Sequence, residues 1–126
     1  MPVANPSRPV VLITGAAKRV GATIARTLHA AGYDVALHYR HSADDMQALC
    51  AELERARAAS SLPIQAELAD LDALPRLVER CVAHFGRLDS LVNNASAFFA
   101  TPLGSATPAQ WHELFASNAQ APFFLA

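Results

Sequence analysis

The residues Thr14-Gly15-Ala16-Ala17-Lys18-Arg19-Val20-Gly21 are the first in the chain whose types and spacing could do chemistry. Four apolar residues, Val10 to Ile13, run into Thr14-Gly15, and a helical pattern starts a few residues later. A buried parallel strand that ends in a tight turn looks like this. Gly15 permits the turn, and Gly21 lets the helix start pack close to the sheet. The free N–H groups of that helix N-terminus favour a pyrophosphate. Arg19 stands where loops of this spacing often have a glycine. The plainer alternative is an ordinary strand–loop–helix turn.

Three more positions bear on the same chemistry. Tyr39-Arg40-His41-Ser42 follows the apolar run Val35-Ala36-Leu37. A site for NAD commonly has an Asp or Glu here, bonded to the ribose 2′-hydroxyl. Arg, His and Ser suit a 2′-phosphate instead, which a carboxylate would repel. NADP(H) is therefore the expected cofactor, with Arg19 reaching the same phosphate or lying on the nicotinamide side. The alternative is a solvated basic loop. Glu67-Leu68 offers a carboxylate that could accept from an adenine amino group, or one that simply faces water. In Asn93-Asn94-Ala95-Ser96-Ala97-Phe98-Phe99, two adjacent Phe residues in one loop are hard to bury together. Either one faces a cleft, where its ring can stack on a flat ligand, or both enter the core.

Strands are expected at Val10–Thr14, Asp34–Tyr39, Leu62–Leu68 and Leu88–Asn93, each followed by a short connection. The first helix carries Val20, Ile24 and Leu28 as a stripe and ends at Gly32. The second starts at Ser42 and runs to about Ala59. The third covers Leu71–Phe85, with Leu74, Leu77, Val78, Cys81 and Val82 inward, Pro75 in its first turn and Gly86 as its stop. Thr107-Pro108 opens a last helix towards Ala126. Four alternations of strand and helix predict an α/β fold, a Rossmann-type doubly wound parallel sheet of about four strands. Ligands bind beyond the carboxyl ends of such strands, where the residues above lie.

The chain has 126 residues, 52% of them hydrophobic, and a formal net charge of −1. One domain with a real core fits that length. The charge balance argues against a polyanion-binding surface, so no nucleic-acid partner is expected. Cys50 and Cys81 fall in helical segments without a Cys-x-x-Cys or a Cys/His cluster, so free buried thiols and no metal site are expected. No apolar run approaches the ~20 residues of a membrane span. Residues 1–9 read as a flexible tail and not a signal peptide, which leaves the cytoplasm as the default location. Residues 10–126 form the nucleotide-binding unit.

Four stretches then fall in register: Thr14-Gly15 with Arg19 and Gly21; His38-Tyr39 with Ser42; Asn93-Asn94-Ala95-Ser96 with Phe98; and Ser117-Asn118-Ala119 with Ala121-Pro122 and Phe124-Leu125. Together, from Val10 to Ala126, they resemble the short-chain dehydrogenase/reductases and, within these, the pteridine reductases. Asn93-Asn94-Ala95 marks the broad family. Arg19 in place of a glycine, and Ser96 in place of the family's usual Gly, point to the pteridine-reducing branch. The resemblance implies that Gly15, Arg19, Val20 and Gly21 line the cofactor phosphates, with Arg19 also near the pterin. It implies Tyr39, Arg40, His41 and Ser42 at the 2′-phosphate, and Glu67 and Leu68 at the adenine. Asn93 and Ala95 would line the ribose and nicotinamide, and Ser96 would contact cofactor or substrate. Phe98 would stack on the pterin, and Asn118 would support a proton relay. Two positions depart from the pattern: related reductases often have Arg second in the Arg40-His41 pair, and Asp where Glu67 stands. The implied activity is NADPH-dependent reduction of a dihydropteridine or dihydrofolate, by a homo-tetramer at full length. One alternative is a reductase acting on a carbonyl such as a 3-oxoacyl thioester. The other is a dinucleotide-binding module without catalysis.

The family's proton donor is a Tyr with a Lys four residues later. Here the tyrosines are Tyr33 and Tyr39, followed at that spacing by Leu37 and Ala43, and the one lysine is Lys18. The family's sheet has about seven strands in the order 3-2-1-4-5-6-7, and four are counted here. The chain therefore reads as the N-terminal part of a longer enzyme, ending in an apolar stretch, Pro122 to Ala126, without a partner. In isolation it is expected to be inactive and poorly soluble.

Overall fold

The computed structural model describes residues 7–126. Most of the expected tail, residues 1–6, lies outside the described residues. Four parallel strands form one sheet in the order β3-β2-β1-β4. They are β1 (Val10–Ile13), β2 (Asp34–Tyr39), β3 (Ser61–Gln65) and β4 (Ser90–Val92). Val11 pairs with Val35 on one side and with Ser90 on the other, so β1 is central and β4 is an edge. Every residue of β1 is fully buried, as expected for a strand covered on both faces.

Two apolar layers flank the sheet. Val11, Ile13, Val35 and Leu37 face α1 (Arg19–Ala30) and α2 (Ala43–Ala56) through Ala22, Ala25, Met46, Leu49 and Leu53. Val10, Leu12, Ala36 and Ile64 face α3 (Ala73–Phe85) through Leu74, Leu77, Cys81 and Phe85. This alternation is the doubly wound Rossmann-type arrangement. The α1 stop at Gly32 is a Schellman motif: Gly32 (φ +105°) donates to the His29 carbonyl and Tyr33 donates to that of Leu28. Cys50 and Cys81 are free thiols, and burial pushes Cys81 up to about 11.

Several expectations are corrected. The fully buried residues of α1 are Gly21, Ala22, Ala25 and His29; Ile24 and Leu28 of the expected stripe pack half-buried against the same layer, and Val20 leaves it. Close helix–sheet approach selects the small side chains, which leaves Val20 65% exposed. On α3, Val82 is likewise exposed. That helix starts two residues late because the Asp70 carboxylate accepts the Asp72 N–H at 3.0 Å, forming a turn first. The strand β3 stops at Gln65, and α2 stops at Ala56, where Arg57 becomes extended. The strand β4 stops at Val92, and two residues on the Asn94 N–H turns to Thr14 Oγ1 at 3.1 Å.

The last helix is not continuous. Thr107 and Gln110 form a capping box that opens α4 (Pro108–Phe115). A π-helical turn over Ala116–Gln120 follows, and then α5 (Ala121–Leu125). Pro122 has no N–H for the carbonyl one turn back, and an expanded turn there absorbs the mismatch. The closing stretch has a partner after all: Ala121 and Leu125 join the α3 layer, while Phe123 and Phe124 stay exposed.

Candidate functional site

The carboxyl ends of all four strands open into one groove of about 470 Å³. Its floor is the turn after β1. Gly15 sits at φ +61°, and a methyl group there would lie 2.8 Å from the Ala95 Cα. A methyl on Gly21 would collide with the Gly15 carbonyl oxygen, and would lie 2.7 Å from Asn94 Nδ2 and 2.9 Å from the Ala16 Cα. The turn, the helix start and the β4 loop therefore touch through backbone. Arg19 also has a left-handed backbone, at φ +51°. A glycine would hold that conformation without strain, which accounts for how often one occurs at this point.

Two buried side chains fix this floor. Thr14 Oγ1 accepts the N–H groups of Asn94 and Ala95 at 3.1 and 3.0 Å. His38 Nδ1 accepts the Gly15 N–H at 3.0 Å, and its Nε2 lies 2.9 Å from the Ala66 carbonyl. The two bonds together define a neutral ring with the proton on Nε2. Asn94 Nδ2 adds bonds to the carbonyls of Thr14 and Gly15 at 3.2 and 3.0 Å. Asn94 and His38 carry no site role in the sequence reading. Their sequence signals are their places in the Asn93-Asn94-Ala95 and His38-Tyr39 stretches, neither of which assigns the side chain a bond.

Desolvation pushes the His38 imidazole below its ordinary value, partly opposed by the Ala66 carbonyl and Glu67. Burial, then Arg57, does the same to His29. Unfolding restores the ordinary values near 6.5, so the unfolded chain takes up more protons below that pH. Folding stability should accordingly fall as pH drops from about 6.5 towards 5, before the carboxylates titrate. Urea unfolding at pH 7.5 and 5.5 checks this, and the slope should be shallower in His38→Gln.

The walls come from β2 and β3. Tyr39, Arg40, His41 and Ser42 line one side, with Glu67 and Leu68 beside them. Arg40 Nε donates to Glu67 Oε2 at 2.7 Å. Lys18 pairs with Asp45 at 3.7 Å. Arg19 has no carboxylate partner among the described residues, and together with Val20 it lines the same groove. On the β4 side, Ala95 and Ser96 line it, joined by Ser117.

The structure thus brings together Gly15, Arg19, Val20, Gly21, Tyr39, Arg40, His41, Ser42, Glu67, Leu68, Ala95 and Ser96. It leaves three residues out of the lining. Asn93 is exposed, and its neighbour Asn94 takes the inward place. Phe98 is 91% exposed, whereas Phe99 is half-buried. Asn118, on the π-turn, bonds both backbone groups of Ala97, accepting at 3.0 Å and donating at 2.9 Å. It therefore ties the β4 loop to the π-turn beside the groove. Among the described residues no group of His, Cys, Asp and Glu could hold a metal, and no helix is long and apolar enough to cross a membrane.

Comparison with known proteins agrees with this geometry. The family model described as short chain dehydrogenase matches residues 9–126. Pteridine reductase 1 of Leishmania tarentolae is 41% identical, over 96% of this chain and 53% of that protein. Hydroxynaphthalene reductase of Aspergillus fumigatus is 36% identical, over 95% of this chain and 44% of that protein. A 3-oxoacyl-acyl-carrier-protein reductase of Staphylococcus aureus is 34% identical, over 89% and 45%. The chain spans about half the length of these relatives. With its Rossmann-type sheet and a groove at the carboxyl ends of the strands, it belongs to the short-chain dehydrogenase family.

Proposed function

We propose that this chain supplies the NADPH-binding half-site of a short-chain reductase acting on a dihydropteridine or dihydrofolate. The observation that carries this reading is the wall after β2, where Arg40, His41 and Ser42 line the groove in place of a carboxylate. A dinucleotide fits the residues present. The Gly15–Gly21 contact leaves no room for a side chain between turn and helix, so backbone N–H groups can approach a pyrophosphate. Arg40, His41 and Ser42 would hold the 2′-phosphate, Leu68 the adenine, and Ala95 and Ser96 the nicotinamide ribose, while Glu67 is engaged by Arg40 instead of the adenine. When bound, the nicotinamide supplies the hydride.

This chain's own residues then act on position and charge. Arg19 lines the groove and has no carboxylate partner among the described residues, which leaves it available to an anionic or carbonyl-rich ligand. Asn118 holds Ala97, and with it the loop bearing Ser96 and Phe98. The pterin substrate draws on the likeness to pteridine reductase 1, together with Arg19 and Ser96 in the groove lining. The 3-oxoacyl reductase among the relatives keeps a carbonyl substrate as the second reading. Comparing turnover of the two substrate classes by the full-length protein decides between them.

Titrating the full-length protein with NADPH and NADH tests the cofactor. NADPH should bind at least tenfold more tightly. Arg40→Ala should weaken NADPH about tenfold, the loss of one charge-assisted contact, and leave NADH unchanged. Equal affinities for the two cofactors would refute the reading. No tyrosine here has a lysine four residues on, so NADPH oxidation with a dihydropterin should stay at background in this chain.

A further inference from the structure

Arg40 and Glu67 leave neighbouring strands at the same level of the groove. The Ala66 N–H donates to the Tyr39 carbonyl at 3.2 Å, and Gln65 Nε2 donates to the Arg40 carbonyl at 3.1 Å. The two backbones are thus tied together where the two side chains meet. Glu67 Oε2 accepts from Arg40 Nε at 2.7 Å. Among the described residues the two Nη groups of Arg40 have no acceptor, and Glu67 Oε1 has no donor. Both side chains are about half exposed, so the pair itself adds little to folding. Its consequence is for binding.

We infer that Glu67 is a positioning residue for Arg40, and through it a determinant of the choice between a phosphorylated and an unmodified ribose. This rests on the NADPH reading above. A free arginine on a loop loses rotamer freedom when it grips an anion, whereas one already held at Nε has lost part of it. The engagement also selects which edge of the fork remains: the Nη1/Nη2 end, which can meet two phosphate oxygens at once. With the guanidinium between them, the Glu67 charge and the phosphate are both compensated. Without it, Glu67 becomes an unshielded like charge. The sign of the Glu67 contribution therefore depends on Arg40.

A double-mutant cycle on the full-length protein reads this directly, with NADPH and NADH dissociation constants as the measurement. Glu67→Ala should weaken NADPH threefold to fivefold and leave NADH within twofold. Glu67→Gln keeps an acceptor for Nε and should stay near wild type. In an Arg40→Ala background, Glu67→Ala should leave NADPH affinity unchanged or improve it. The inference is overturned if Glu67→Ala leaves the NADPH-to-NADH ratio within twofold or raises it, or weakens NADPH equally in both backgrounds. A wild-type chain without any NADPH preference overturns the cofactor reading itself, and this inference with it.

Discussion

Replacing Gly21 with alanine should cost about 3 kcal/mol or more of folding stability and abolish cofactor binding by whatever remains folded. The added methyl meets no flexible side-chain end that could swing aside. It meets the Gly15 carbonyl oxygen, the Ala16 Cα and the Asn94 amide. Asn94 is itself committed to the Thr14 and Gly15 carbonyls. Relief would require α1 to lift off the sheet, and Ala22 and Ala25, buried on the same face, would lose their packing. Urea unfolding gives the stability loss, and NADPH titration gives the binding loss. A variant with a wild-type midpoint and wild-type affinity would show that the turn opens freely.

The second large effect lies at the opposite end of the sheet. Arg57 reaches back from the end of α2 to the carbonyls of His29 and Tyr33 and to Asp34 Oδ1, the last at 3.4 Å. Asp34 is only 2% exposed, and its Oδ2, like Arg57 Nε, is buried with no hydrogen-bond partner among the described residues. Ser60, fully buried, lies 2.7 Å from His29 Nε2. Arg57→Ala leaves a buried carboxylate without its cation and takes a donor from the His29 and Tyr33 carbonyls, of which His29 keeps the Gly32 N–H, at a cost of about 3 kcal/mol. Asp34→Ala added to it should recover part of that loss, because the stranded charge is gone. NADPH affinity should be unchanged wherever the variant is folded, since the groove is at the other end of the strands. A loss of affinity without a loss of stability would contradict this division of roles.

Where the chain's local chemistry decides the structure, the sequence was legible. The β-branched run of β1, the stops at Gly32 and Gly86, and the Thr107-Pro108 helix start each rest on a few neighbouring residues. Twelve of the groove residues lie just after the four expected strands, where the alternation of strand and helix puts them, and the strand order is the one the family resemblance implied. What stayed hidden depends on approach between distant segments. Val20 reads as core by periodicity, yet the helix sits so close to the sheet that glycine and alanine must face it. Asn94 is informative only once β4 lies beside β1. His38 reads as one polar residue in an apolar strand until Gly15 and Ala66 are placed on its two nitrogens. Arg57 and Asp34 are 23 residues apart, and no short pattern links them. The resemblance gave Glu67 to the adenine; its contact with Arg40 needed the end of β3 set against the end of β2.

The Thr14–Asn94 contact joins residues 80 apart in the chain. In the unfolded polymer, closing a loop of that length is entropically costly, so the β4 side of the groove is held to the glycine turn at the expense of chain freedom. A ligand bridging the two sides would act as a reversible cross-link. It would resist the opening motion that separates them and raise the local barrier to unfolding more than its few contacts suggest. The groove is then also the clasp that keeps the edge strand β4 against the central strand β1.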